Sequence, residues 1–74
     1  LTADEYFDAD AAEVRLQQAI LSLPPKQQLV FRLRYYDELP YDQMAALTGT
    51  SEGSLKASYH HAVKKVTDFL QAEK

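Results

Sequence analysis

An all-α fold of four helices, the last two forming a helix-turn-helix, is what this sequence predicts. Three observations carry the prediction. Apolar residues recur at helical spacing in separate segments, the pattern of helices that each bury one stripe. Pro24, Pro25 and Pro40 part those segments, since proline has no N–H to donate and drives the preceding residue out of the helical region. Finally, Gly49, Thr50 and Ser51 place a residue that reaches left-handed dihedrals, a spacer and a good helix cap in immediate succession. So short a connection makes two helices cross steeply and pack.

Leu1 to Asp8 shows no helical period and reads as a linker or tail, with Tyr6 and Phe7 available to dock on the body. The domain proper is expected over residues 9–74. Its first helix should start near Asp10, with Glu13 in the first turn. Val14, Gln17, Ile20 and Leu21, with Leu16 alongside, give that helix a stripe that Leu23 closes. Pro25 can open the second helix, where a missing N–H costs nothing. Leu29, Val30, Leu33 and Tyr36 form its expected buried stripe, leaving Phe31, Arg32, Arg34 and Tyr35 partly outward. Asp37 and Glu38 end it awkwardly, as acids near the negative end of the helix dipole.

The helix-turn-helix is expected over about residues 40–70. Pro40 and Asp42 suit the first turn of its first helix. Ala45, Gly49 and Leu55 then supply a small residue at the crossing, a free corner and an apolar plug from the second helix. Met44 and Leu47 extend the apolar side of the first. On the second, steps of about 100° put Leu55, Tyr59, Ala62, Val66, Phe69 and Leu70 within roughly 60° of the inward direction. Gly53, Ala57, His60, His61 and Lys64 point outward, flanked by Lys56 and Lys65. That outward face is small, polar and basic until Asp68, so a phosphate backbone and base edges can come close. Glycine at position 53 weakens a helix by about 1 kcal/mol relative to alanine; close approach of its backbone to a groove floor would justify it.

The 74 residues allow one domain. There is no cysteine, hence no disulfide and no thiolate metal site, which fits a reducing cytoplasm. No apolar run approaches the roughly 20 residues of a membrane span, and no signal peptide is visible. The net charge of −3 is unevenly spread. Residues 1–24 hold five acids against Arg15, residues 25–50 are balanced, and residues 51–74 hold four lysines against three acids. A reader this weakly basic releases few counterions alone, and suits a module held on DNA by a larger partner.

From Leu23 to Val66, about three fifths of the chain, the residues resemble region 4 of bacterial RNA polymerase sigma factors, in the extracytoplasmic-function (ECF) branch. The matching pieces are LPPKQQLVFRLRYYDEL, PYDQMAALTG and TSEGSLKASYHHAVKKV. Of a family-like run S-E-G-T-V-K-S-R-L-H-R-A, the chain keeps Ser51, Glu52, Gly53, Lys56, His60 and Ala62. It departs at Ser58 and His61, where the family often has arginine. The resemblance implies recognition of the promoter −35 element in transcription initiation. It also implies contact with core RNA polymerase through a flap of the β subunit, and cover by an anti-sigma factor. Because the chain begins at leucine, a piece of a longer protein is expected, with a region 2 domain upstream.

The expected DNA-binding residues are Ser51, Glu52, Gly53, Ser54, Lys56, Ala57, His60, His61 and Lys64. Lysine can donate to guanine, serine to most bases, and alanine can touch a thymine methyl. Lys64 and Lys65 are placed as phosphate clamps rather than readers. Phe31, Arg34 and Tyr35 are the residues expected to face polymerase or an anti-sigma factor; the alternative reading is that Phe31, Tyr35 and Tyr36 simply fill the small core, Tyr36 foremost. His60 and His61, adjacent on a helix, point too far apart to share a metal ion. The serines and threonines lack a base and an orienting acid, so no enzyme, metal or cofactor is expected. Two alternatives stay open: a response-regulator-type helix-turn-helix output domain, which would need a dimer, and a purely protein-binding helical module.

Overall fold

The computed structural model describes residues 3–72, with side chains from residue 11 onward. Its described residues form four helices, α1 (Ala3–Leu21), α2 (Pro25–Tyr35), α3 (Tyr41–Thr48) and α4 (Glu52–Ala72). Among the described residues, helices α2 and α4 each touch every other helix, whereas α1 and α3 do not touch each other. The molecule is therefore a central α2–α4 pair with α1 and α3 laid on it at separate places.

Two apolar clusters fill those places. Ala19, Ile20, Leu23, Phe31, Ala62 and Val66 join α1, α2 and α4, with Leu16, Phe69 and Leu70 packed around them. Val30, Met44 and Leu55 join α2, α3 and α4. Tyr59 packs against both clusters and links them. Leu55 and Met44 are fully buried. Truncating such a leucine to alanine costs about 2–5 kcal/mol, comparable with the whole stability of a domain this small.

Helix α1 starts at Ala3, well before the expected Asp10, so the stretch read as having no helical period is helical from residue 3. Its sequence contains no breaker before Ser22, and Asp4 and Glu5 lie at the positive end of its dipole. The expected docking of Tyr6 and Phe7 lies outside the described side chains. Val14 and Leu21, expected inside, are 48% and 63% exposed. The buried face of α1 runs instead through Leu16, Ala19, Ile20 and Leu23. Leu21 sits one step around from Ile20 and turns away from the body, and among the described side chains of α1 Leu16 is the first that packs against the core. Ser22 and Gln28 close the helix end, with Ser22 Oγ donating to the Ala19 carbonyl at 2.6 Å and Gln28 Nε2 reaching the Leu21 carbonyl at 3.4 Å. These bonds satisfy acceptors that a helix end leaves open.

On α2 the buried arc lies one residue around from its expected place. Val30 and Phe31 are buried, while Leu29 is 49% and Tyr36 39% exposed. Leu33, expected inside, does pack against the cluster of Val30, Met44 and Leu55, but the half-buried Gln27 and Arg34 share the inward side with Val30 and Phe31, and apolar periodicity does not mark polar residues there. Arg34 is accommodated because its Nη1 donates to the Leu39 carbonyl at 2.9 Å and its guanidinium carbon lies 4.8 Å from the Tyr41 ring centre. Tyr36 is no core residue. Its hydroxyl accepts from Gln17 Nε2 at 2.9 Å and donates to Glu13 Oε1 at 3.3 Å, tying α1 to the end of α2 across the surface. Partial burial, with the Glu13 carboxylate next, raises this phenol above its usual 10.0; burial likewise raises Tyr59.

Helix α2 ends through widening turns, the Tyr36 and Asp37 amides both donating to the Arg32 carbonyl and the Leu39 amide to Leu33. Glu38 takes a left-handed φ of 53° there, a conformation costing a side-chain-bearing residue roughly 1–2 kcal/mol. Pro40, expected inside the first turn of α3, is its N-cap instead. Leu47, expected on the apolar side of α3, is 69% exposed; Met44 and Ala45 make the contacts.

Replacing Glu38 by glycine should remove this strain and raise stability by about 1 kcal/mol, a melting-temperature gain of roughly 4–8 °C in a domain of this size. A calorimetric scan showing no gain would mean that the loop relaxes the strain by other means. The phenols set a pH dependence too. A folded-state pKa above the unfolded value means that stability is fully present below about pH 10 and falls as pH climbs past it. Tyr36→Phe should flatten that alkaline loss in denaturant titrations.

Candidate nucleic-acid interface

The corner between α3 and α4 sets the site. Gly49 has φ 71° and closes α3 with its amide on the Ala45 carbonyl at 2.9 Å. No atom lies within 4 Å of where a Cβ on Gly49 would sit. The need for glycine is thus one of dihedral angle and not of space. Thr48 Oγ1 donates to the Met44 carbonyl at 2.8 Å and accepts from the Thr50 amide at 3.3 Å, bracing the turn. Ser51 Oγ accepts from the Ser54 amide at 3.2 Å, the cap that its position in the sequence predicts. Glu52 adds an acid to the first turn of α4.

From that corner α4 runs 21 residues, roughly 30 Å. Leu55, Ala62 and Val66 are buried along its inner face. Ser51, Glu52, Gly53, Ser54, Lys56, Ala57, His60, His61 and Lys64 are all exposed. The structure therefore brings these nine residues, each expected from the sequence to meet DNA, onto one continuous surface, none of it covered by α1, α2 or α3. Gly53 has nothing within 4 Å of an added Cβ, so packing does not explain a glycine there.

Few cations serve this surface, and two are restrained. Lys64 Nζ lies 3.5 Å from Asp68 Oδ2, one turn on, with both side chains mostly exposed; such a pair contributes a few tenths of a kcal/mol. Lys56 Nζ lies 5.6 Å from the Tyr41 ring centre. The His60 and His61 rings stand 6.0 Å apart and splayed at 66°. Among the described residues no group of three metal-ligating side chains gathers.

The second set of candidates is less uniform. Phe31, expected partly outward, is 3% exposed, with Tyr35 stacked on it at 5.1 Å and Tyr59 at 5.8 Å. Tyr35 is 50% exposed. Together with Leu16, Val63 and Leu70 these aromatics line an apolar groove of about 220 Å³ between α1, α2 and α4. Arg34 is half-buried and already engaged with Leu39 and Tyr41. Tyr41 is the neighbour of this surface that the sequence did not betray. Its nearness to Lys56 joins two helices, and no spacing rule within one helix signals it.

A short helix, a left-handed glycine and a longer helix with one bare polar face make this a helix-turn-helix DNA-binding domain. Residues 13–66 match the family described as Sigma-70, region 4, and the chain belongs to that family. It is similar to the RNA polymerase sigma-E factor of Streptomyces coelicolor, 32% identical over 69 residues that make up 93% of this chain and 39% of that protein. The sigma-E factor of Streptomyces antibioticus is also 32% identical, over 92% of this chain and 38% of that protein. That of Streptomyces avermitilis is 27% identical over 96% and 40%. The chain thus spans about two fifths of the length of these curated relatives. None of its described helices is long and apolar enough to cross a membrane.

Gly53→Ala should raise the stability of the free domain by roughly 0.5–1 kcal/mol, since helix propensity improves and nothing is displaced. Thermal melting checks this, and a loss of stability would show that the backbone at position 53 is under a constraint not visible in its surroundings.

Proposed function

We propose that this domain recognises the −35 element of promoters, as region 4 of an ECF-type RNA polymerase sigma factor acting in transcription initiation in the cytoplasm. The observation that carries the reading is the bare face of α4, on which a glycine, serines, an alanine, two histidines and lysines lie exposed together. Packing on one side leaves any such helix a solvated face; its small residues and lysines, in a domain of the Sigma-70 region 4 family, favour DNA over a module that binds only protein. The first turns of α4 enter the major groove, as the second helix of such motifs does. Ser54, Lys56 and Ala57 meet base edges, Gly53 lets the backbone close on them, and His60, His61 and Lys64 run along the phosphates. Ser51 and Glu52 hold the start of the helix in register, the one by its bond to the Ser54 amide and the other by its place in the first turn.

On the other side, the groove rimmed by Tyr35 suits an apolar partner segment, either the β flap of core polymerase or an anti-sigma factor. Tyr35 is the exposed residue there and Phe31 supports it from beneath. Arg34 acts from within the domain, through its bond to Leu39. The modest charge of the reader fits this arrangement, because polymerase and not the domain alone keeps it on DNA.

Duplex binding by the full-length protein with core polymerase tests the reading. Lys56→Ala should erode the preference among sequences, by about 1–3 kcal/mol at the base pair it contacts. Lys64→Glu should weaken all duplexes alike and reduce the salt slope by roughly 0.9 for each phosphate no longer neutralised. Gly53→Ala should bind more weakly although it folds more stably. Binding unaffected by all three substitutions would remove α4 from the interface.

A further inference from the structure

Tyr41 is the first residue of α3, partly buried against the cluster of Val30, Met44 and Leu55. The Arg34 guanidinium carbon lies 4.8 Å from its ring centre, and Arg34 is in turn fastened by its bond to the Leu39 carbonyl at 2.9 Å. The ammonium of Lys56 lies 5.6 Å from the same ring centre, within the range in which the negative face of an aromatic ring attracts a cation. A lysine side chain on an open helix face is otherwise free to sample many rotamers, and that freedom must be given up when it donates to a base. Here a ring packed against the core offers the ammonium a preferred place beside the first turns of α4.

We infer that Tyr41 is a positioning residue for Lys56: its ring holds the lysine ammonium near the groove-facing end of α4 and so sharpens base selectivity without itself reading a base. The inference rests on the reading of Lys56 as a base contact. It assigns the chain from Leu39 through Arg34 and Tyr41 to Lys56 a single task, which is to carry the rigidity of the core out to an exposed cation. The ring supplies that hold and the hydroxyl does not. Phenylalanine at position 41 should therefore serve as well as tyrosine, and leucine should not.

The test compares a preferred duplex with one changed at the base pair whose preference Lys56→Ala erodes, using the full-length protein with core polymerase. Tyr41→Leu should lower the affinity ratio of the two duplexes by roughly 2- to 5-fold, Tyr41→Phe should leave it unchanged, and Tyr41→Leu added to Lys56→Ala should lower it no further. An unchanged ratio in a folded Tyr41→Leu protein, while Lys56→Ala lowers it, overturns the inference and leaves the reading of Lys56 intact. So does an equal weakening on both duplexes, which would mark Tyr41 as only a scaffold or a phosphate contact. If Lys56→Ala itself leaves the ratio unchanged, the reading of Lys56 fails and the inference falls with it. Should Tyr41→Leu not fold, the Lys56 Hε resonances of the unsubstituted protein decide. An upfield ring-current shift that persists in Tyr41→Phe supports the proposed hold, and ordinary lysine shifts overturn it.

Discussion

One face of α4 has to meet three helices, and the rest of the structure follows from that demand. Leu55 near its start plugs the α2–α3 corner, while Ala62 and Val66 further along receive α1 and the middle of α2. Tyr59 stands between the two clusters and touches both. Because α1 and α3 do not touch among the described residues, neither can make good a defect in the packing of the other. All the fully buried residues described are apolar, so the body is held mainly by area and fit, with the half-buried Gln27 and Arg34 as the polar groups that α2 turns inward. The same demand leaves the opposite face of α4 uncovered, since all its partners lie on one side.

Electrostatics reinforce this geometry weakly. The chain as a whole is acidic, at −3, and its bare helix face carries few lysines, of which Lys64 shares its charge with Asp68. Long-range attraction to a polyanion is correspondingly small. Shape and short-range donors, more than net charge, are what this surface offers a duplex. The two places where lysines are restrained, by Asp68 and by Tyr41, matter more when there are so few of them.

The corner and α4 were legible in the sequence almost residue for residue. Gly49 had to be left-handed, Ser51 had to cap, and the inward set from Leu55 to Leu70 followed from a single period. The bare face of α4 followed from the same period. Helix α2 was harder, because Gln27 and Arg34 occupy inward positions that apolar periodicity assigns to solvent. That rotation exchanged the roles of Phe31 and Tyr36, burying the first and leaving the second to hydrogen-bond at the surface. In α1 the pattern marked the right helix but could not say where the neighbouring helices stop, so Val14 and Leu21 were placed inside. Tyr41 beside Lys56 depends on how two helices meet, which lies beyond any period within one of them.

The uncovered face of α4 has a consequence for how such a domain can change over generations. Substitutions at exposed positions remote from caps and packing usually alter stability by less than about 0.5 kcal/mol. Ser54, Ala57, His60 and His61 can thus be exchanged with the body left as it is, so that under the proposed function a new target sequence can be acquired without a compensating repair elsewhere. In Leu55, Ala62 or Val66 the same freedom does not exist. Diversity among descendants of this chain should accumulate on one side of a single rod, while its other side stays fixed by the three helices that lean on it.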